Sequence, residues 1–250
     1  MGWFAAAAAG LLFASPALAV KPYTLVEDGY PEPKGTVELE NTFETTWHPR
    51  AATSDKSFSL ETELEFQPTD KFALRFKEAI AYEDTADFTG LHFDAAGIEV
   101  QYYFTNPITD PLGVSVIGAA EVGERGLGAF EAILVLQKDW DKLTVTYNIG
   151  AVTEIENLYR GGSRETSGTL VNSLGAVYSV SKQVRVGGEV SVESGFAEWR
   201  SYTGATAYAG PCIFWTPTKD LWITAGVDYQ ITGHRDEPQY RAAIIAGYYF

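Results

Sequence analysis

Carboxylates recur at every second residue in several parts of this chain. Glu38 and Glu40 are followed by Glu44, Glu61, Glu63 and Glu65 form an alternating row, and Glu189 and Glu193 stand four apart. A repeat of two places such groups on one face of an extended strand. Several such strands side by side would present a band of negative charge, which attracts cations and repels anions. A second set is the histidines His48, His92 and His234, with Ser54, Asp55, Asp94 and Asp236 near them in sequence. A hydrolase would pair such a His, as base, with a Ser or Asp. No G-x-S-x-G or H-E-x-x-H accompanies them, and no two histidines share the ligand spacing of a metal site within one element. The expectation is no catalytic residues, no metal and no cofactor. G-E-R-G-L-G at 123–128 lacks the Lys-Ser/Thr of a phosphate loop and reads as a glycine-bearing hairpin loop.

The elements that must position the carboxylates are strands. From Gly35 onward, alternating segments cover roughly 35–47, 56–67, 71–83, 92–105, 112–123, 127–138, 142–156, 168–180, 183–196, 201–216, 220–233 and 239–250. In the clearest, Leu221, Ile223, Ala225, Val227, Tyr229 and Ile231 share one face, and Trp222, Thr224, Gly226, Asp228, Gln230 and Thr232 the other. Tight connections rich in Pro, Asp and Lys take turns with more irregular ones, as in an up-and-down antiparallel meander. The count is twelve strands, or ten or fourteen if a hairpin has been split or merged.

The polar faces carry too many charges for a dry core, and the apolar faces are too continuous for a wet exterior. A barrel with its apolar residues toward lipid and its polar residues toward a lumen resolves both problems. The rings fit it: Trp47 and Trp199 fall next to irregular connections, and Trp140, Trp215 and Trp222 beside tight turns, with Phe66, Phe72, Phe104, Tyr178 and Phe214 near them. Two aromatic girdles would give that distribution. Glu78 interrupts the lipid face of segment 71–83, which implies a bulge or a shifted register there.

Residues 1–19 are uncharged and apolar and end in A-L-A, the pattern of a signal peptide with scission at Ala19/Val20. Residues 20–34 have three prolines and no alternation; they form either a periplasmic N-terminal segment or a small plug. The barrel occupies 35–250. With 33 acidic against 18 basic residues and a net charge of −15, the chain lacks the basic footprint of a nucleic-acid-binding protein. The single Cys212 reads as a small packing residue.

The leader ending A-L-A, the even number of alternating segments and the final strand together resemble the bacterial outer-membrane β-barrel (porin-like) family of Gram-negative bacteria. The final strand places Tyr240, Ala242, Ile244, Ala246, Tyr248 and Phe250 on one face. The resemblance implies that this ending, with Tyr248 and Phe250, is read by the outer-membrane assembly machinery. It also implies outer-membrane lipid as the surroundings, with both termini on the periplasmic side.

Alternation turns Glu38, Glu40, Glu44, Glu61, Glu63, Glu65, Glu99, Glu121, Glu131, Glu154, Glu156, Glu189, Glu193 and Asp228 inward, against only Arg75, Lys77, Arg185 and Arg241. The expected pore-lining set is Glu63, Glu65, Arg75, Glu99, Glu121, Glu131, Glu154, Arg185, Glu189, Asp228 and Arg241. Four bases cannot neutralise so many acids, so the interior must hold water. The reading is a narrow passive channel for small hydrophilic solutes, cationic or neutral. A non-conducting structural or surface-binding barrel and, behind it, a surface hydrolase are the alternatives.

Overall fold

The computed structural model describes residues 21–48, 55–84, 88–233 and 237–250. The expected signal peptide at 1–19, His234 and Asp236 therefore lie outside the described residues, as does Ser54.

Twelve antiparallel strands form one closed barrel in which each strand pairs with its neighbours in sequence and β1 with β12. They are β1 (Val37–His48), β2 (Asp55–Thr69), β3 (Phe72–Asp84), β4 (Thr89–Thr105), β5 (Gly113–Gly123) and β6 (Gly128–Trp140), then β7 (Leu143–Ile155), β8 (Thr166–Ser179), β9 (Val184–Ala197), β10 (Ser201–Trp215), β11 (Leu221–Gln230) and β12 (Tyr240–Tyr249). One 3-10 turn, Glu124–Gly126, links β5 to β6. No helix of the described residues is long and apolar enough to cross a membrane.

Closure follows from register. Leu39 stands opposite both Tyr248 of β12 and Leu64 of β2, so the last strand completes the ladder of the first. Phe250 N–H also donates to Val37 C=O at 3.0 Å. A sheet closed this way has no free edge. Because the side-chain period is two, one face of every strand turns outward, and there the large apolar residues are exposed: Phe43, Leu60, Leu64, Phe76, Ile98, Leu174, Ile213 and Ile244 among them. Such a surface suits hydrocarbon and not water. Aromatics mark both rims. Trp47, Tyr202, Tyr82 and Tyr229 are exposed at the end with the irregular loops, and Phe66, Phe104, Trp140, Tyr178, Trp215, Tyr248 and Phe250 at the end with the tight turns.

Two aromatics depart from the girdle expected of them. Trp222 and Phe214 are 1% and 2% exposed and face inward, where they pack with Ile245 and Tyr249. Parity decides this: both sit one residue off the outward set of their strands. Trp222 also occupies the space that a Cβ at Gly247 would fill, and its Nε1–H donates to Glu38.

Glu78 remains outward and in register, opposite Thr62 and Ala96. The expected bulge exists, but on β4: Ala79 pairs with Ala95 and Ile80 with Phe93, leaving Asp94 as the extra residue. It therefore does not remove Glu78 from the outer face.

Candidate functional site

The interior is built by the inward half of each strand together with residues 21–34, which run through it. Tyr23 and Val26 are almost wholly buried and pack with Val177 and Cys212, so the cysteine does serve as a packing residue, against a segment of its own chain. The inner wall makes room for this segment. A Cβ at Gly175 would lie 2.4 Å from the Tyr23 ring, and one at Gly226 would lie 2.6 Å from the Thr24 hydroxyl.

Polar groups of the wall satisfy the backbone of the segment, which has no ladder of its own. The Glu189 carboxylate accepts from the N–H of Thr24 at 3.1 Å, from the N–H of Leu25 at 2.7 Å and from the Thr24 hydroxyl. Asn148 accepts from Glu27 N–H at 2.7 Å and donates to Glu27 C=O at 3.0 Å. Gln137 accepts from Gly29 N–H at 2.8 Å, and Gln101 donates to Asp28 C=O at 3.0 Å. Tyr30 donates to Asp139 at 2.9 Å, and Tyr249 to Glu32 at 2.7 Å.

The charges collect in two places. On the β2–β4 wall, Arg75 lies 3.4 Å from Glu63, 2.5 Å from Glu65 and in direct contact with Glu99. Lys77 joins Glu63 at 3.4 Å and Glu99 at 2.7 Å. The segment adds Lys21, 3.2 Å from its own Glu27 and 3.8 Å from Glu40. Toward the loop end, Arg241 bonds Glu193 at 2.6 Å and stacks 3.8 Å from the Tyr208 ring centre. Asp228 is buried and stands opposite Arg241 in register. Arg185 lies 5.3 Å from the Phe214 ring centre, near the turn end. Glu121 and Glu131 face inward and are half-buried. Glu154 is exposed near the end of β7, where it accepts from Ser167 at 3.1 Å. Glu156 falls beyond that strand and is not part of its inner face.

Two spaces remain. An internal cavity of about 30 Å³ is lined by Lys21, Glu27, Asp28, Glu38, Glu40, Glu63, Glu65, Arg75 and neighbours, room for about two waters. Nearer the loop end, a cavity of about 290 Å³ is lined by Thr169, Glu193, Thr203, Thr206 and Glu237. Between these spaces the lumen is crossed by residues 21–34, the second of the two arrangements open to this segment. These residues carry no alternation, so only the small inward residues Gly175 and Gly226 hinted at what fills the space beside them.

Of the three histidines, His48 and His92 lie among the described residues. His92 packs edge-on to Phe88 and lies 4.0 Å from Glu83, in a pocket with Asp94, Glu124 and Leu127. His48 ends β1, opposite Asp55. No three His, Cys, Asp or Glu side chains among the described residues are placed to hold a metal ion.

Residues 22–244 match the model of a family of unknown function, DUF6662. No curated protein matches in sequence. Among solved structures, the COG4313 outer membrane channel from Pseudomonas putida F1 is similar, with a TM-score of 0.64 and 14% identity over 89% of this chain and 98% of that one. The NanC porin gives 0.56 at 10% identity over 85% and 98%. The KdgM porin gives 0.54 at 14% identity over 85% and 99%. At these identities the likeness is one of fold, that of an outer-membrane β-barrel.

Proposed function

The chain belongs to the DUF6662 family, and we propose that it is a narrow passive channel of a Gram-negative outer membrane, passing small hydrophilic solutes that are cationic or neutral. Its fold is shared with the channel of Pseudomonas putida F1 and with two porins. The observation that carries the charge preference is the inner wall itself. Glu44, Glu61, Glu121, Glu131, Glu193 and Asp228 face the lumen, with Arg241 the wall base near Glu44, Glu193 and Asp228 and Lys77 the one near Glu61, Glu121 and Glu131. Fixed carboxylates in a confined, low-dielectric passage favour cations and exclude anions.

On this reading the lining comprises Glu63, Glu65, Arg75, Glu99, Glu121, Glu131, Glu154, Arg185, Glu189, Asp228 and Arg241. Residues 21–34 are the constriction, a plug that solute must pass or displace. The loop-end cavity is the outer vestibule, the tight turns are periplasmic, and the strand ending in Tyr248 and Phe250 is the segment read by the assembly machinery before lipid surrounds the barrel.

A planar bilayer tests this with two proteins, the mature chain and a variant lacking residues 21–34. The expected result is a small cation-selective current for the first, and a larger one of the same selectivity for the second. Silence from both would sink the channel reading, and an anion-selective reversal potential would overturn the role given to the carboxylates. The small internal cavity favours one other reading, a non-conducting structural or surface-binding barrel. That reading predicts silence from the mature chain, still inserted and heat-modifiable on gels, with current appearing only in the variant that lacks residues 21–34.

A further inference from the structure

On the outer wall, one row of side chains is at odds with its surroundings. Glu78 is the middle residue of the thirteen in β3 and is exposed on the outward face, between Phe76 and Ile80. Register carries its row across five strands: Ala246 stands opposite Asn41, Asn41 opposite Thr62, Thr62 opposite Glu78, and Glu78 opposite Ala96. On one side of the row run Phe43, Leu60 and Ile80, and on the other Leu64, Phe76 and Ile98, all exposed. The row is therefore a trough of small and polar side chains between two bulky ridges.

A carboxylate facing hydrocarbon at this depth is unfavourable. Lipid headgroups cannot relieve it, because they lie about 15 Å away at either surface of a bilayer of ordinary thickness. A donor on a second protein wall would relieve it, and the trough supplies one of the right kind. The Thr62 hydroxyl donates to Asn41 Oδ1 at 3.0 Å, which leaves the Asn41 amide hydrogens for an acceptor elsewhere. Asn41 and Glu78 flank Thr62 symmetrically, roughly 10 Å apart across two ladder steps.

We infer that this row is the interface to a second copy of the same chain, related by a two-fold axis beside Thr62. Rotation about such an axis brings Thr62 against its mate and the Glu78 of each copy toward the Asn41 of the other. The acceptor-only carboxylate then meets an amide donor twice, as an isologous contact requires. Ala96 and Ala246 at the ends of the trough let the two walls approach closely, as small residues do between elements packed in lipid. The inference concerns the outer wall and does not depend on the channel reading.

The test uses the mature chain. Thr62→Cys is oxidised in isolated outer membranes, with Leu174→Cys, exposed on β8 across the barrel, as control. The native Cys212 is buried and stays in place. The expected result is a band of twice the mass for T62C and none for L174C. In mild detergent, sedimentation should give a dimer for the parent, association at least tenfold weaker for Glu78→Leu, and a dimer for Glu78→Gln, whose amide oxygen still accepts. A monomeric parent without a T62C product, equal crosslinking of both cysteines, or a T62C product containing a different protein would each overturn the inference. Should Glu78→Leu fail to assemble, the cysteine pair decides alone.

Discussion

The Glu189 carboxylate holds Thr24 through two groups at once, the backbone N–H at 3.1 Å and the side-chain hydroxyl, and takes the Leu25 N–H at 2.7 Å as well. Hydrogen bonds to a charged group contribute about 1.5–3 kcal/mol each, and these join residues far apart in the chain. Glu189→Ala removes the acceptor and leaves two half-buried N–H groups unpaired. Docking of residues 21–34 should weaken by on the order of 3 kcal/mol, about a hundredfold in the equilibrium. Limited proteolysis of the assembled barrel checks it, with residues 21–34 cut faster in the variant and the barrel spared. Equal protection in both proteins would mean that the carboxylate is not what holds the segment.

A steric variant should give the same release by another route. A Cβ at Gly175 would sit 2.4 Å from the Tyr23 ring, which is fully buried. Overpacking of this kind costs about 1–3 kcal/mol. Gly175→Leu is expected to expel Tyr23, expose residues 21–34 to protease and raise conductance, while heat-modifiability on gels persists. Unchanged current would separate the segment's position from any part in conduction.

Arg75 is the shared partner of Glu63, Glu65 and Glu99. Arg75→Ala leaves three carboxylates together with only Lys77 between Glu63 and Glu99. Removing one partner of a buried ionic group costs about 3–5 kcal/mol, so the temperature at which the barrel unfolds on gels should fall. The double variant Arg75→Ala/Glu99→Ala should recover part of that loss. A double variant as labile as the single one would show that Arg75 acts through packing of its stem and not through its charge.

How much of this was legible in the sequence varies with the kind of residue. Strands and faces were readable because a lipid-facing apolar row beside a wet polar row imposes a period of two, and the Glu61–Glu63–Glu65 row follows it. Proximity to strand ends points Trp222 and Phe214 toward a girdle, whereas parity assigns them to the lumen, where they are buried. Residues 21–34 were least legible. Their backbone is satisfied by side chains more than a hundred residues away, such as Asn148 and Gln137, and no local pattern reports a long-range partner. Glu78 stands out in the alternation and points to a bulge or a shifted register, but the bulge lies at Asp94 of the next strand and leaves Glu78 outward.

The last residue offers a way to separate recognition from stability. Phe250 is 76% exposed and its ring lies 5.1 Å from that of Tyr248. Its backbone N–H donates to Val37 C=O at 3.0 Å, a bond that any residue but proline can make at this position. Replacing the ring therefore removes little that the folded barrel uses, apart from one aromatic contact of about 1 kcal/mol. If the ring is read by the assembly machinery, Phe250→Ala should lower the heat-modifiable fraction in cells several-fold and leave refolding into pure lipid vesicles near the parent's yield. An equal loss in both settings would place the contribution of Phe250 in the stability of the β12–β1 seam, and an undiminished yield in cells would remove it from assembly altogether.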